Sequence, residues 1–447
     1  MPMNHTPFLA IFLLFLGLLR FDSFPGLEAA PGNLTSIPGS PGNLTSTPGS
    51  PGNLTSTPGS LGNLTSTPGS PGNLTSTPGS PGNLTSTPRS PGNLTLTPGS
   101  PGNLTSVPGL YVFGDSLVDV GNNNHLLISI ARANYARNGV DFPGKKATGR
   151  FCNGKNAADF LAEKFGLPLL PPYLSLRDIV TRKRKKNAPV PGVNFASGGA
   201  GIFNSTDGKH KQAIPLSQQV NDWLSIQEEI YQLGGPSGAQ IHLSKSLFIV
   251  VIGSNDLFDF VGSSKLKKNN DPQQYTLAMA VKLKEQLKRI HNSGARKFLI
   301  LGVAQIGCTP GKRNKKSILH ECSEEANMMA SLYNEALTKM LQQLKQEIGN
   351  TMSYTYFDLF KAIQDIINNP TSYGFADVTS ACCGNGKLNG QHPCLPLAKL
   401  CPDRSKYLFW DMFGHPTEAA AWTVVDLMLA PNSQYSSPLT LTQLVSS

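Results

Sequence analysis

The residues best suited to chemistry in this sequence lie in one short stretch that begins at Leu110. An apolar run, Leu110–Phe113, ends abruptly at Gly114-Asp115-Ser116 and is followed by a turn-rich segment dense in Asn and Gly. Such a run is typical of a buried strand, and the polar segment after it can line a pocket. A Gly-Asp-Ser tripeptide alone more often marks an ordinary turn. The hypothesis that Ser116 is a nucleophile therefore depends on what the rest of the chain supplies.

A serine hydroxyl becomes an effective nucleophile when an imidazole accepts its proton and a carboxylate orients that imidazole. Among the eight histidines, His415 has the most suitable surroundings, because Asp411 precedes it in a short turn and Pro416 can open a helix after it. The other histidines lie in the N-terminal leader or in polar and amphipathic contexts. We therefore predict a triad of Ser116, His415 and Asp411, and the alternative is that His415 only caps a helix.

Three apolar runs end in small polar motifs that are far apart in sequence. Besides the motif at Ser116, Ser197–Gly201 follows one run and Gly253–Asp256 follows another. Because ligands bind at the carboxyl ends of parallel strands, the three motifs can converge on one cleft. We expect the N–H of Ser116, an N–H of the glycine-rich segment and the side chain of Asn255 to stabilise an oxyanion. Simple turns are the alternative for the second and third motifs.

The elements that would position these motifs alternate between short apolar strands and longer amphipathic helices. This alternation begins at residue 110 and predicts βαβ units with a mostly parallel sheet covered on both faces. The predicted strands are 193–196, 247–252, 297–303 and 354–357, and the predicted helices are 217–233, 276–293, 326–344 and one that begins near Pro416.

Four ordered blocks of the sequence resemble those of the plant GDSL-motif esterase/lipase family, within the SGNH hydrolases. The resemblance covers residues 110–430 and leaves residues 431–447 as a C-terminal tail. It implies a flavodoxin-like three-layer α/β/α sandwich, no metal or other cofactor, and hydrolysis of acyl esters or lipids through an acyl-enzyme. The four blocks are Phe113–Asn123, Asn194–Ile202, Ile252–Asp256 and His415–Glu418, and residues 148–154 and 381–384 are also similar to family segments.

The resemblance also assigns roles to individual residues. It makes Ser116 the nucleophile, His415 the base and Asp411 the carboxylate that orients the base. Gly198 and Asn255 then serve the oxyanion together with the N–H of Ser116. The choice between the two adjacent glycines at 198 and 199 stays open.

The spacing between the carboxylate and the histidine departs from the family pattern. The family places two residues between them, whereas Met412, Phe413 and Gly414 intervene here. We expect Gly414 to be absorbed as a local bulge that keeps both side chains on the pocket side. If it is not, His415 loses its partner and the rate falls by orders of magnitude.

The first thirty residues have the composition of a secretory signal peptide. Phe8–Leu19 is almost entirely apolar and too short to cross a bilayer, and cleavage is expected between Asp22 and Ala30. A buried or anchoring N-terminal helix is the alternative. No later stretch is long enough for a membrane span, so we expect an extracellular protein, in the cell wall or apoplast, with no transmembrane segment.

Residues 31–109 repeat a decapeptide close to Pro-Gly-Asn-Leu-Thr-Ser-Thr-Pro-Gly-Ser eight times. One Leu per unit cannot offset the entropy of ordering the backbone, so we expect a disordered, extended segment. Each unit carries an Asn-Leu-Thr acceptor for N-glycosylation. A glycosylated stalk and a neutral expansion of the repeat are both open. The candidate acceptors are Asn33, Asn43, Asn53, Asn63, Asn73, Asn83, Asn93, Asn103 and, near the expected cleft, Asn204.

A second hypothesis for the whole chain follows from the repeats. In it, the protein is a non-catalytic extracellular glycoprotein that uses the hydrolase fold to bind acyl or glycan ligands, and the repeat segment tethers it. Labelling of Ser116 by a fluorophosphonate distinguishes this hypothesis from an esterase, because only an activated serine reacts.

Positive charge is concentrated after the repeats. The formal net charge of +10 belongs entirely to residues 111–447, because two basic and two acidic residues cancel in the first 110. The densest cluster is Arg182–Lys186, with smaller ones at 265–268 and 312–316. A secretory signal and the lack of a nucleic-acid-binding motif argue against nucleic acid as a partner. We expect solvated loops, and weak binding of acidic cell-wall polysaccharide or anionic lipid is the functional alternative.

All seven cysteines lie after the repeats. In an oxidising compartment most of them can pair, and the sequence alone does not choose among the connectivities. Cys308 with Cys322 is the favoured local pair, and Cys152 is expected to be unpaired. For the cluster at 382–401, a zinc site is the rival interpretation, but the spacings fit no common ligand pattern and favour disulfides.

Overall fold

A computed structural model of the chain describes residues 107–177, 191–206, 213–316 and 320–447, together with short strands in the repeat segment. The leader and the asparagines of the repeat acceptors lie outside the described residues, so the signal peptide and the repeat glycans stay predictions. The chain divides into two compact units, residues 1–102 and 103–447.

The first unit contains short parallel strands at the Leu-Thr positions of seven consecutive repeats, from Leu34–Thr35 to Leu94–Leu96. Each strand pairs with the strand two repeats away, so that Leu34 is in register with Leu54. The strands form a four-stranded and a three-stranded sheet. The expectation of disorder throughout is therefore wrong at these residues. The pairing unit spans two decapeptides, which a search for a ten-residue period does not detect.

The second unit contains a central six-stranded sheet and two small two-stranded sheets. The central sheet comprises β1 (Leu110–Gly114), β2 (Gly192–Asn194), β3 (Leu247–Val251), β4 (Lys297–Leu301), β5 (Ser353–Phe357) and β10 (Ser436–Pro438). The small sheets pair β6 (Asp377–Ala381) with β9 (Tyr407–Phe409), and β7 (Cys383–Gly384) with β8 (Lys399–Leu400).

The order of the central sheet is β10-β5-β4-β3-β1-β2. Strands β1 to β5 are parallel, and β10 is antiparallel to β5. The order β2-β1-β3-β4-β5 is that of flavodoxin-like folds. The predicted fold class is therefore confirmed for this unit.

Helices cover both faces of this sheet. On one face, helices α2 (Leu216–Lys245), α5 (Pro272–Asn292) and α7 (Glu324–Ile348) contribute Trp223, Met279 and Tyr333 to a core shared with the strands. On the other face, helices α1 (Ala157–Lys164), α8 (Leu359–Asn368), α9 (Glu418–Leu429) and α10 (Leu441–Ser446) form a second core. The other helices are α3 (Ser254–Gly262), α4 (Ser264–Asn269) and α6 (Pro310–Lys316), and α2 has a break at Gly235.

Strand β1 shows why the central strands have nearly continuous apolar sequences. Its side chains alternate between the two faces, so Tyr111 and Phe113 join the first core while Leu110 and Val112 join the second. A strand buried on both faces needs apolar residues at every position. Its carboxyl end therefore emerges from the core directly at the Gly-Asp-Ser motif.

The expected C-terminal tail, residues 431–447, is instead part of the fold. Strand β10 extends the central sheet, and α10 buries Leu441, Leu444 and Val445 in the second core. The Lys297 ammonium donates to the carbonyl oxygen of Val445 at 3.0 Å. A strand of three residues and a helix of six are too short for hydrophobic periodicity to reveal them.

The cysteines pair as three disulfides. Cys152 is unpaired, as predicted, and it is buried. No helix among the described residues is long and apolar enough to span a bilayer. The disulfides are the predicted Cys308–Cys322, together with Cys382–Cys401 and Cys383–Cys394.

The basic clusters differ from one another in their structural setting. Arg182–Lys186 lies outside the described residues, so binding of acidic polysaccharide there stays a prediction. Arg313 departs from the expectation of a solvated loop, because it is buried. Its guanidinium donates to the carbonyl oxygen of Cys308 at 2.8 Å and to that of His320 at 3.2 Å. The Arg313 side chain therefore stabilises the loop that the Cys308–Cys322 disulfide closes.

Candidate active site

Ser116 lies just beyond β1, at the carboxyl end of the parallel sheet. The His415 Nε2 atom is 2.7 Å from the Ser116 Oγ atom, and the His415 Nδ1 atom is 2.6 Å from the Asp411 Oδ2 atom. Both His415 and Asp411 are buried, whereas Ser116 is partly exposed. His415 and Asp411, near the C-terminus, thus meet Ser116, near the start of this unit. The three side chains are hydrogen-bonded in the order that a nucleophile, a base and an orienting carboxylate require.

The extra residue between Asp411 and His415 is accommodated by a tight turn. Gly414 has a φ of +84°, which favours glycine, and a Cβ atom there would lie 2.4 Å from the Thr309 Cγ2 atom. The Asp411 Oδ1 atom accepts the N–H of Phe413 at 3.0 Å and that of His415 at 3.3 Å. The other carboxylate oxygen is left to face the imidazole. The carboxylate therefore orients both the backbone of the turn and the ring at its end.

Charge around the imidazole favours its protonated form. Burial disfavours that form, but the charge and hydrogen bond of Asp411 and the charge of Asp115 outweigh burial, so the pKa of His415 is raised above 6.5. Burial in turn raises the pKa of Asp115 to about 7. One Asp115 oxygen accepts the N–H of Leu117 at 3.0 Å, and the other is buried without a hydrogen-bond partner. The raised pKa makes the neutral imidazole of His415 a stronger proton acceptor.

Asp119 ties the nucleophile segment to the glycine-rich segment. Its carboxylate is fully buried and accepts the backbone N–H groups of Gly121 at 2.7 Å, Asn122 at 2.8 Å and Gly198 at 3.0 Å. Burial raises its pKa to about 6 despite these donors. The Asp119 carboxylate is thus the shared acceptor of three backbone N–H groups that come from two distant parts of the chain.

The asparagines after Ser116 continue this network. The Asn122 side-chain amide donates to the carbonyl oxygens of Asn194 and Ala196, both at 2.8 Å. The Asn123 amide donates to the carbonyl oxygen of Gly198 at 2.8 Å. These asparagines are buried, so their amides replace water as partners of the buried backbone at the end of β2. The Asn-rich segment therefore positions the backbone around the pocket and is not a solvated turn.

The predicted oxyanion residues differ in how they are placed. The N–H of Gly198 is occupied, because it donates to Asp119. The neighbouring Gly199 lines the cavity beside Ser116, so the cavity lining favours Gly199 over Gly198, and the choice of donor stays a prediction. Asn255, in the first turn of α3, also lines the cavity, and its amide donates to the Ala200 carbonyl oxygen at 2.9 Å. A second N–H of that amide is left for a ligand.

Sequence reasoning missed Gln219, which is fully buried in α2. Its Oε1 atom accepts the N–H of Gly114 at 2.9 Å, and its Nε2 atom donates to the Gly114 carbonyl oxygen at 2.8 Å. Gln219 thereby fixes the backbone two residues before the nucleophile. The available signal was a glutamine within the apolar pattern of a helix, close to Leu216, Val220 and Trp223.

Residues 150–156, here called the connecting segment, contact His415 and residues that follow Ser116 and His415 in the sequence. The Asn156 amide donates to the Asp119 carbonyl oxygen at 3.0 Å. The N–H of Lys155 donates to Glu418, at the start of α9, at 2.9 Å. The Phe151 ring lies 5.1 Å from the imidazole of His415, between ring centroids. The connecting segment thus links the backbone that follows the nucleophile to the start of α9, which follows the base.

A cavity of about 580 Å³ opens at Ser116 and His415. This volume is within the range of small-molecule sites. Most of its lining is apolar, and its polar lining residues include Ser116, His415 and Asp411. Among the described residues, no group of three or more His, Cys, Asp or Glu side chains is arranged to hold a metal ion. The site can therefore enclose an apolar ligand with a polar reacting group at one point.

Comparison with known proteins agrees with this geometry. The GDSL-like Lipase/Acylhydrolase family matches residues 110–428. GDSL esterase/lipase At5g55050 from Arabidopsis thaliana is 63% identical over 446 residues, covering 100% of both chains. GDSL esterase/lipase At1g33811, from the same organism, is 37% identical and covers 74% of this chain and 88% of its own length. The chain therefore belongs to the GDSL-like lipase/acylhydrolase family.

Proposed function

We propose that the protein hydrolyses carboxylic ester bonds of acyl esters or lipids with Ser116 as the nucleophile. The observation that carries this proposal is the position of His415, which contacts Ser116 through one ring nitrogen and Asp411 through the other. Membership of an esterase/lipase family supports ester hydrolysis as the reaction type. The apolar lining of the cavity supports an acyl substrate.

In the first step, the Ser116 oxygen forms a bond to the carbonyl carbon of the ester. The hydroxyl proton moves to His415 Nε2, and Asp411 stabilises the resulting imidazolium. The bond between the carbonyl carbon and the alcohol oxygen then breaks, and the imidazolium returns its proton to the leaving alcohol. The products of this step are a free alcohol and an acyl group esterified to Ser116.

In the second step, water attacks the acyl carbon and gives a proton to His415. The bond from that carbon to the Ser116 oxygen breaks, and the serine recovers its proton from the imidazolium. The carboxylic acid leaves and the enzyme returns to its starting state. In both steps the carbonyl oxygen becomes negative, and each donor aimed at it contributes about 3 kcal/mol. The proposed donors are the N–H groups of Ser116 and Gly199 and the amide of Asn255.

Substitution of the nucleophile tests the proposal. Purified protein is expected to hydrolyse p-nitrophenyl esters and to react with a fluorophosphonate probe. Ser116→Ala is expected to lower kcat by about 10⁶-fold and to abolish labelling. Ser244→Ala, on α2 and outside the cavity, is the control and should retain both. Hydrolysis that persists in Ser116→Ala would reject the assignment. Folded wild-type protein that neither reacts nor hydrolyses would favour the non-catalytic glycoprotein.

We also propose that the protein is secreted into the cell wall or apoplast and carries N-glycans. The apolar leader and the three disulfides support an oxidising destination. Asn204 is exposed, as an acceptor must be. Protein recovered from the medium of plant cells should run faster after enzymatic deglycosylation, and Asn204→Gln should remove one step of that shift. Retention inside the cell, or unchanged mobility, would contradict the proposal.

A further inference from the structure

The cavity at the triad continues inward, between the central sheet and the helices of the second core. Its inner part is bounded by β4 on one side and by β9, α8 and α9 on the others. The six side chains that line this inner part are all apolar and buried. We call this space the inner chamber, and its lining residues are Leu301, Leu359, Ile363, Leu408, Ala421 and Val424.

The inner chamber is not expected in a close-packed protein. Interiors normally leave few voids larger than a water molecule, because unfilled space loses the contacts that stabilise the core. A cavity walled by aliphatic groups also offers water no hydrogen-bond partners. Space of this chemistry that is continuous with the pocket of Ser116 is suited to an apolar ligand.

The mouth of the cavity has a different character from the chamber. Three residues of the cavity lining are well exposed there, with Ile130 at 75%, Leu395 at 48% and Phe413 at 53%. The alcohol of an ester leaves before water attacks, so it needs an open route. The acyl group stays attached to Ser116 through both steps, so an enclosed chamber can hold it throughout.

We propose that the inner chamber binds the acyl chain of the substrate, so that esters of long-chain fatty acids react in preference to acetate. This inference rests on the proposed ester hydrolysis for its kinetic consequences. The chamber adds selectivity for chain length, which the triad cannot supply. Each methylene that moves from water into the chamber should raise kcat/KM about fourfold until the chamber is full.

A series of p-nitrophenyl esters from acetate to palmitate tests the inference in the full-length protein. Wild-type kcat/KM should rise with chain length and then level off. Ala421→Leu places a larger side chain in the chamber and should lower the laurate-to-acetate ratio of kcat/KM at least tenfold. Val424→Ala enlarges the chamber and should move the optimum to longer chains. Ala419→Leu, the same change on α9 but outside the cavity, is the matched control and should keep the wild-type ratios.

A binding measurement separates the chamber from the chemistry. In the Ser116→Ala background, laurate should displace a fluorescent fatty acid, and addition of Ala421→Leu should weaken that binding about tenfold. Suppose that wild type hydrolyses the acetate ester but that neither Ala421→Leu nor Val424→Ala changes the laurate-to-acetate ratio of kcat/KM or the binding of laurate. Acyl binding in the chamber would then be rejected, and the proposed ester hydrolysis would be retained. If laurate binds through the chamber but no ester is cleaved, the proposed function fails instead. Should Ala421→Leu not fold, Val424→Ala decides alone.

Discussion

The two sides of the triad are built in different ways. The nucleophile side, residues 114–123, is held by groups from distant parts of the chain, among them Gln219 and the backbone at Gly198. On the histidine side, residues 410–415, the orienting carboxylate is held by its own turn, because Asp411 accepts N–H groups two and four residues away. The Asp119 carboxylate of the first side thus joins distant segments, whereas the Asp411 carboxylate of the second side accepts backbone N–H groups of its own turn.

This difference separates stability from catalysis. Buried polar groups that satisfy donors from several elements stabilise the fold and the site at once. A carboxylate that orients one imidazole affects the reaction more than the fold. Substitutions on the nucleophile side should therefore lower stability and activity together, whereas a matched substitution on the histidine side should lower activity alone.

The largest effect is expected from Asp411→Asn, on the histidine side. The amide oxygen can still accept the N–H groups of the turn, but the neutral group no longer stabilises the imidazolium or fixes its tautomer. We expect kcat to fall by about 10⁴-fold, as for the corresponding change in serine proteases, with little change in Tm. Ester hydrolysis and thermal unfolding measure the two quantities. A large loss of Tm would show that this side is not local.

The same substitution on the nucleophile side, Asp119→Asn, should act on both quantities. It removes the charge that three backbone N–H groups share and forces an amide to fit among donors. We expect a loss of about 3 kcal/mol in the free energy of unfolding and about 10²-fold in kcat, as the segment at Gly198 shifts. Urea denaturation and kinetics test this. Asp426→Asn, at an exposed position on α9, is the control. Equal losses of stability in Asp119→Asn and Asp411→Asn would refute the difference between the two sides.

Gly414→Ala tests how tightly the local turn is specified. Both the positive φ and the approach of Thr309 oppose a Cβ atom. The conformation alone costs about 1 to 2 kcal/mol, and Gly166→Ala isolates that cost because Gly166 has a φ of +71° with open space around its Cβ position. We expect Gly414→Ala to lower Tm more than Gly166→Ala and to lower kcat about tenfold. Addition of Thr309→Ser should restore part of the loss; no recovery would exclude the steric cause.

The smallest expected effect is on the pH dependence of the reaction, through the charge of Asp115 near His415. Because neutral imidazole is the base, kcat/KM should fall as the pH drops through the raised pKa of His415. Asp115→Asn removes a negative charge that favours imidazolium, so the pKa of His415 should decrease and the acid limb should move to lower pH. A pH profile of kcat/KM measures the shift. Movement to higher pH, or an equal shift in Asp426→Asn, would contradict this coupling.

Sequence reasoning found what short motifs encode and missed what tertiary contacts decide. Ser116, His415 and Asp411 stand in recognisable local patterns, and the alternation of strands and helices predicted the sheet. Which of two adjacent glycines has an occupied N–H depends on Asp119, about eighty positions away. The spacing of residues gives no access to that contact.

The remaining differences have similar physical causes. The strands of the repeat unit pair across twenty positions, as with Leu34 and Leu54, so a single decapeptide does not contain the stabilising partner. At the other end, α10 is too short for a periodic signal, although its three apolar residues are buried. The repeat strands thus depend on partners that are distant in sequence. Helix α10 is shorter than the stretch over which hydrophobic periodicity can be recognised.

Cys152 gives experimental access to the opening of the connecting segment. It lies in the connecting segment, is 1% exposed, and is the unpaired cysteine of a chain whose six others form disulfides. A thiol reagent can reach it only when that segment opens. Its rate of alkylation therefore measures how often the connecting segment opens, with no introduced label and a single modified product to quantify.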